Sequence, residues 1–233
     1  MIRRLFLLTL ILFFYHVSIA FSQIAIDQVA PGPYTPESTI AATFSLGATC
    51  LQPGNSFNLY LVSPSGVEKS IGSYTSFYST FVNGVIPLGT TPGTGYKLRV
   101  KSTLPALTSS DSNPFDIKAG GKATAAINSN SKVSTNPLTF GTCNTDENTR
   151  TKEFFFNNES NTGNVTVTFK NELNPGVPQT IAFGAAGTPM SYTASLAHYT
   201  MFVKATMPDG SVGTKAYFLI NNLAVTAFTT TSG

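Results

Sequence analysis

The sequence predicts an all-β protein, and three observations carry that prediction. Apolar residues recur at every second position in segments such as "SFNLYLV" (residues 56–62) and "VTVTFKN" (residues 165–171). That is the two-residue period of a strand with one face buried. Turn residues punctuate the chain in "QPGN", "SPSG", "TPGTG", "NPGVP" and "MPDGS". Their spacing, roughly 8–12 residues, is that of many short strands in a sandwich or barrel. Charged residues make up only 11% of the chain, and Thr, Ser and Asn supply the polarity instead, which argues against long solvated helices.

Residues 1–22 read as a signal peptide. Arg3 and Arg4 precede an apolar run over residues 5–15, broken only by Thr9, and small residues follow in "HVSIAFSQ". Cleavage after Ala20 or Ser22 fits the small-x-small rule. The run is shorter than the ~20 residues needed to cross a bilayer, so no membrane span is expected after cleavage. The leader holds two of the 14 Lys and Arg that face 11 Asp and Glu, so the mature chain is close to neutral. A clustered basic surface for nucleic acid is therefore not expected.

The first predicted module covers residues 23–118. "STIAATFSL" sets Ile40, Ala42, Phe44 and Leu46 on one side, and "SFNLYLV" sets Phe57, Leu59 and Leu61 against Asn58, Tyr60 and Val62. "GTGYKLRVKS" then places Tyr96, Leu98 and Val100 inward and Lys97, Arg99 and Lys101 outward. A Tyr that follows a turn and opens an alternating strand has the form of a tyrosine corner. In immunoglobulin-like and fibronectin type III sandwiches that ring fills the end of the core, and its hydroxyl bonds to the backbone just upstream.

The second predicted module covers residues 119–222 and repeats the pattern. "LAHYTMFVKA" has Tyr199, Met201 and Val203 in register, followed by "PDGS" and a last strand with Ala216, Phe218 and Ile220. The boundary falls in "FDIKAGGKATAAINSNSK", where Gly120-Gly121 predicts a flexible joint. The fold expected is thus two tandem immunoglobulin-like antiparallel β-sandwiches. Residues 223–233 begin what looks like a further β-segment, or form a disordered tail, so the chain is expected to be the N-terminal part of a longer protein.

The stretch "YTPESTIAATFSL", with "PGNSFNLYLVSPSG" and "GTTPGTGYKLRVKST" after it, resembles an immunoglobulin-like or fibronectin type III-like module of secreted multidomain Bacteroidetes proteins. Those are of the gliding-motility-associated or type IX secretion type. The likeness covers about residues 30–117 and extends to "AHYTMFVKATMPDGSVGTKAYFLINN" in the second half. It implies a secreted or cell-surface location and a non-catalytic spacer, adhesion or binding role. No catalytic residue transfers with it.

A search for chemistry finds none to assign, so no enzyme, cofactor or metal is expected. His198 is the one histidine beyond the leader, and "SNSK" (residues 129–132) lies in an Asn/Ser-rich linker, not on the helix that a Ser-x-x-Lys pair needs. Asp146, Glu147 and Glu153 are a thin start for a Ca²⁺ site. Binding surfaces are the remaining candidates. Tyr74, Phe77 and Tyr78 cluster with Phe81, and Phe154, Phe155 and Phe156 are consecutive. They predict either core at a domain junction or an exposed patch for a glycan or protein partner. The latter would suit a carbohydrate-binding accessory module of an extracellular hydrolase. The stripe of Lys97, Arg99 and Lys101 predicts either a solvated face or a site for an acidic glycan or phosphate. Cys50 and Cys143 fall one in each half. A bridge between the halves, pairing with another chain and two buried free thiols are all open.

Overall fold

The structure is a computed structural model that describes residues 24–47, 50–133, 136–144, 150–184 and 187–223. The expected signal peptide, Asp146 and Glu147, and residues 224–233 lie outside these. The described residues are all-β, with no helix among them.

In the first half the strands are β1 (Ile24–Gln28), β2 (Thr39–Leu46), β3 (Ser56–Val62), β4 (Glu68–Thr75), β5 (Phe81–Val85), β6 (Gly93–Thr103), β7 (Ala106–Thr108) and β8 (Phe115–Ile117). They form one sheet in the order β1-β2-β5 and a second in the order β4-β3-β6-β7, with β8 also paired to β6. Alternation makes the core. Phe57, Leu59 and Leu61 of β3 and Tyr96, Leu98 and Val100 of β6 are buried, while Asn58, Tyr60, Lys97 and Arg99 between them are partly open; Val62, expected on the outer face, is buried as well. They meet the inward residues of β2, and the rings of Phe44 and Phe57 lie 4.8 Å apart. Where β4 crosses β5, a Cβ on Gly72 would stand 2.0 Å from the carbonyl oxygen of Asn83, so only glycine fits there.

The second half contains β9 (Ile127–Asn128), β10 (Thr139–Asn144), β11 (Thr151–Asn158), β12 (Val165–Asn171), β13 (Gln179–Ala182), β14 (Met190–Ser195), β15 (Ala197–Thr206) and β16 (Val212–Leu223). Its sheets run β10-β16-β15-β12-β13 and β14-β11-β9. All pairings between these strands are antiparallel except β10 with β16, which is parallel. The core between the sheets is aromatic, with Phe169 and Tyr192 stacked at 3.7 Å and Phe156 at 6.2 Å from Phe169.

Three strands break the one-face rule. Strands β2, β15 and β16 are buried almost continuously along their length. Both of their faces are covered because the two sandwiches stack sheet against sheet. On β16, Tyr217 and Leu219 enter the core of the second half, whereas Ala216 and Phe218 join the core of the first. On β5, Phe81 and Asn83 alternate with Val82 and face the second half, and the Phe81 and Phe218 rings are 4.6 Å apart. The result is four layers of sheet, with β1-β2-β5 and β10-β16-β15-β12-β13 in the middle.

Hydrogen bonds register this seam, and they fall where strand edges are unfinished. Strand β1 stops pairing with β2 at Thr43. Beyond that point the N–H of Ala41 donates to Thr214 Oγ1 at 2.9 Å, and the N–H of Thr39 donates to the carbonyl of Ala123 at 3.1 Å. Strand β10 pairs with β16 only from Phe218 onward. Just before it, the Asn83 amide accepts from the N–H of Ala216 at 2.7 Å and donates to its carbonyl at 2.9 Å. The side chain thus takes the place of a missing strand residue. A Cβ on Gly213 would sit 2.2 Å from the carbonyl oxygen of Ala123, so this approach also requires glycine.

The joint between the halves is held, contrary to the hinge that Gly120-Gly121 predicts. The Thr35 hydroxyl donates to the carbonyl of Gly121 at 2.8 Å, and the N–H of Ala123 donates to Ser38 Oγ at 2.8 Å. Lys118 donates to the carbonyl of Asp209 at 2.6 Å and pairs with its carboxylate at 3.1 Å. Glycine permits bending, but these side chains remove the freedom.

Candidate binding groove

The two predicted corner tyrosines have the geometry of rim locks. Tyr96 is buried and its hydroxyl donates to the carbonyl of Thr91 at 2.7 Å. Tyr199 is buried too, with its hydroxyl 2.7 Å from Ser195 Oγ and 3.4 Å from the carbonyl of Ser195. Tyr96 also lines a small recess of about 210 Å³ together with Leu61, Val67 and Lys69.

The basic stripe is not a free cationic face. Arg99 bonds Asp111 through Nε at 2.8 Å and also pairs with Glu68. Lys101 contacts Glu68 at 2.5 Å and sits 4.6 Å above the Tyr60 ring, while Lys97 lies 3.6 Å from Asp111. Lys101, and then Arg99, hold Glu68 below the usual carboxylate range. Two carboxylates on neighbouring elements, Glu68 and Asp111, balance most of the charge of these three cations. The strand alone could not show this, because Glu68 and Asp111 come from other parts of the chain.

The aromatic cluster divides. Tyr74 is half-buried, stacks 5.7 Å from Phe81, and its hydroxyl accepts from Asn136 Nδ2 at 2.8 Å across the seam. It lies at the junction of the two halves, bonded to a residue that also lines the groove described next. Phe77 and Tyr78 are exposed by 52% and 62%, and their rings meet edge to face at 5.1 Å. Of the Phe triplet, Phe154 and Phe156 are core, whereas Phe155 is 55% exposed.

Tyr78 stands at the edge of a groove of about 610 Å³ between the halves. Phe218 and Ile220 of β16 supply its apolar surface, and Asn136, Asn222 and Glu172 supply polar groups. The groove exists because the first sandwich covers only part of the outer face of the β10-β16-β15-β12 sheet. His198, on that face, bonds Asn222 through Nε2 at 3.2 Å. Glu172 has one carboxylate oxygen 3.6 Å from Lys170, while the other, Oε1, is buried without a hydrogen-bond partner. No sequence signal announced Glu172 or Asn222, which become neighbours of Tyr78 only through the seam.

Other candidates resolve simply. Among the described residues no group of three or more His, Cys, Asp or Glu side chains could hold a metal ion. Ser129 and Lys132 lie in a turn, with the N–H of Lys132 donating to the carbonyl of Ser129 at 3.2 Å. Cys50 and Cys143 are unbridged and both exposed, so neither is the buried thiol that the sequence left open. Among the described residues no helix is long and apolar enough to cross a membrane.

No family model and no curated protein matches the chain. Solved structures do align with it. One, titled a biofilm-associated protein, BSP domain, shares 16% identity at a TM-score of 0.35, over 90% of this chain and 32% of that one. A two-domain fibronectin type III segment from chicken tenascin shares 13% identity at a TM-score of 0.29, over 83% and 96%. A tetra-tandem repeat in the extending region of a large adhesion protein shares 13% identity at 0.27, over 84% and 47%. This chain therefore spans about a third of the first structure and about half of the last.

Proposed function

We propose that the chain is a non-catalytic secreted or cell-surface module, a pair of sandwiches joined near Lys118 that serves as a rigid spacer or adhesion element. The observation that carries this reading is the seam. Thr214, Asn83 and Tyr34 are hydrogen-bonded across it, and Phe81 packs on Phe218. Two sandwiches tied by one short linker and nothing else would move independently. A stacked pair keeps its shape under load, which suits a structural arm. The resemblance of residues 30–117 to modules of secreted Bacteroidetes proteins supports placement toward the N-terminal side of a longer surface protein exported by the type IX route.

The test is replacement in the parent protein. An unrelated rigid two-sandwich unit of equal length should preserve surface display and reach if this module is a spacer. Loss of attachment with display intact would assign adhesion instead. Loss of neither, together with measurable turnover of a polymer by the isolated module, would overturn the non-catalytic reading. The exposed pair of Phe77 and Tyr78 favours a second reading, a carbohydrate-binding accessory module.

A further inference from the structure

We infer that the pair is a folded-back arm: its outermost part is the joint, and it projects one sandwich length, not two, from where β16 ends at Leu223. The inference rests on the structural-arm reading above and goes beyond it by naming which end is the tip. Chain direction carries it. In the first half, β2 begins beside the joint, where the N–H of Thr39 donates to the carbonyl of Ala123, and runs away from it to Leu46. Ile24 pairs with Leu46, so β1 begins at the end far from the joint. In the second half, β16 likewise begins beside the joint. The N–H of Val212 donates to the carbonyl of Pro33 at 2.9 Å, and the carbonyl of the next residue, Tyr34, accepts from the N–H of Lys118 at 2.9 Å. The strand then runs away from the joint to Leu223, beside Asn144 of β10.

Contacts across the seam set the two far ends side by side. Asp27 of β1 lies 3.1 Å from Lys170, the last residue but one of β12, and the hydroxyls of Thr80 and Thr200 are hydrogen-bonded. Strands rise about 3.3 Å per residue, neighbours in a sheet lie ~4.8 Å apart and packed sheets ~10 Å apart. Two such sandwiches joined end to end would hold their outer ends ~70 Å apart, whereas this packing leaves Ile24 within roughly 20 Å of Leu223. The direction of load matters as a result. Tension between the joint and Leu223 runs along β16 and shears its ladder with β15 as a whole. Tension between Ile24 and Leu223 meets β1 at its open end and unzips its ladder with β2 pair by pair. The arm is therefore strong when held at Leu223 and pulled at the joint, which suits an element whose contacts are made at its tip.

The experiment uses the mature chain with Cys50→Ser and Cys143→Ser, both at exposed positions. Cysteines are then placed in pairs at other exposed positions: Ala25→Cys with Leu223→Cys, and Lys122→Cys with Leu223→Cys. Pulsed electron resonance of spin labels should give roughly 20–30 Å for the first pair and ~35–45 Å for the second, label arms included. Optical tweezers attached at the same positions should open the module at lower force through the first pair than through the second. Both paired variants should melt close to wild type, since only exposed side chains change. A distance of about 70 Å for the first pair, or one longer than that of the second, overturns the inference. So does an opening force through the first pair that equals or exceeds that through the second. Turnover of a polymer, which would sink the non-catalytic reading, leaves these distances unchanged, so the two failures are told apart.

Discussion

The cores inside the two sandwiches and the seam between them are built from different residues. Inside, the buried side chains are large and apolar, such as Phe44, Phe57 and Leu59 in the first half and Phe156, Phe169 and Val167 in the second. Burial of each contributes about 1.5–3 kcal/mol without demanding one angle between the sheets. At the seam, small or polar residues stand among a few rings: Ala41, Gly213, Thr214, Ala216 and Asn83 beside Phe81 and Phe218. Small side chains let the sheets approach, and the hydrogen bonds then fix one alignment, because a slipped register would leave buried backbone groups unpaired. The lesson is that the cores hold each half together while the seam decides how the halves are arranged.

Melting experiments can break this comparison. Gly213→Val should have the largest effect, about 4 kcal/mol or more, because the new side chain must displace the backbone of Ala123. Calorimetry should show the single transition of the wild type splitting into two. Phe218→Ala should cost ~3–4 kcal/mol through the cavity left against Phe81. Asn83→Leu should cost about 2–3 kcal/mol by leaving the N–H and carbonyl of Ala216 unpaired, and should also separate the transitions. A single unshifted transition in Asn83→Leu would show that these bonds do not align the halves.

Changes at the rims should lower stability without splitting the melt. Tyr96→Phe should cost about 1 kcal/mol, and Tyr199→Phe about 0.5 kcal/mol, because its closest partner is the hydroxyl of Ser195, which can turn to water.

pH offers two further tests. Burial holds Tyr192 and Tyr217 at about 12 against an ordinary 10.0, and pushes Tyr34 up as well. Their contribution is complete below pH ~10 and is lost as pH rises through about 12, since the unfolded chain ionises first. The midpoint of urea unfolding should fall steeply across that window. At the other end, hydrogen bonds from the Ser211 hydroxyl and N–H, with Lys118, hold Asp209 at about 2. Its smaller contribution should persist through moderate acid and fade only as pH falls from ~4 toward 2. Asp209→Asn should flatten that acid limb and leave the alkaline limb unchanged.

Much of the fold was legible in the sequence, because burial of one face writes itself as alternation. Strands β3, β6 and β12 follow that rule, and Tyr96 and Tyr199 stand at the fourth position of β6 and the third of β15. The seam was not legible. In "TIAATF" and "KAYFLIN" both faces are buried, so alternation no longer tells core from solvent, and the partner of each outer face lies far away in sequence. The same limit governed the surfaces. The stripe of β6 could not reveal Glu68 and Asp111 as its counter-charges, and Tyr74 and Tyr78 look alike until Asn136 claims one of them. The sequence by itself determined the strands, the turns and the inward residues, since these depend on neighbours along the chain. The tertiary structure alone decided which second faces were covered, which charges were neutralised and where a groove was left open, since those depend on groups brought together by stacking one sandwich on the other.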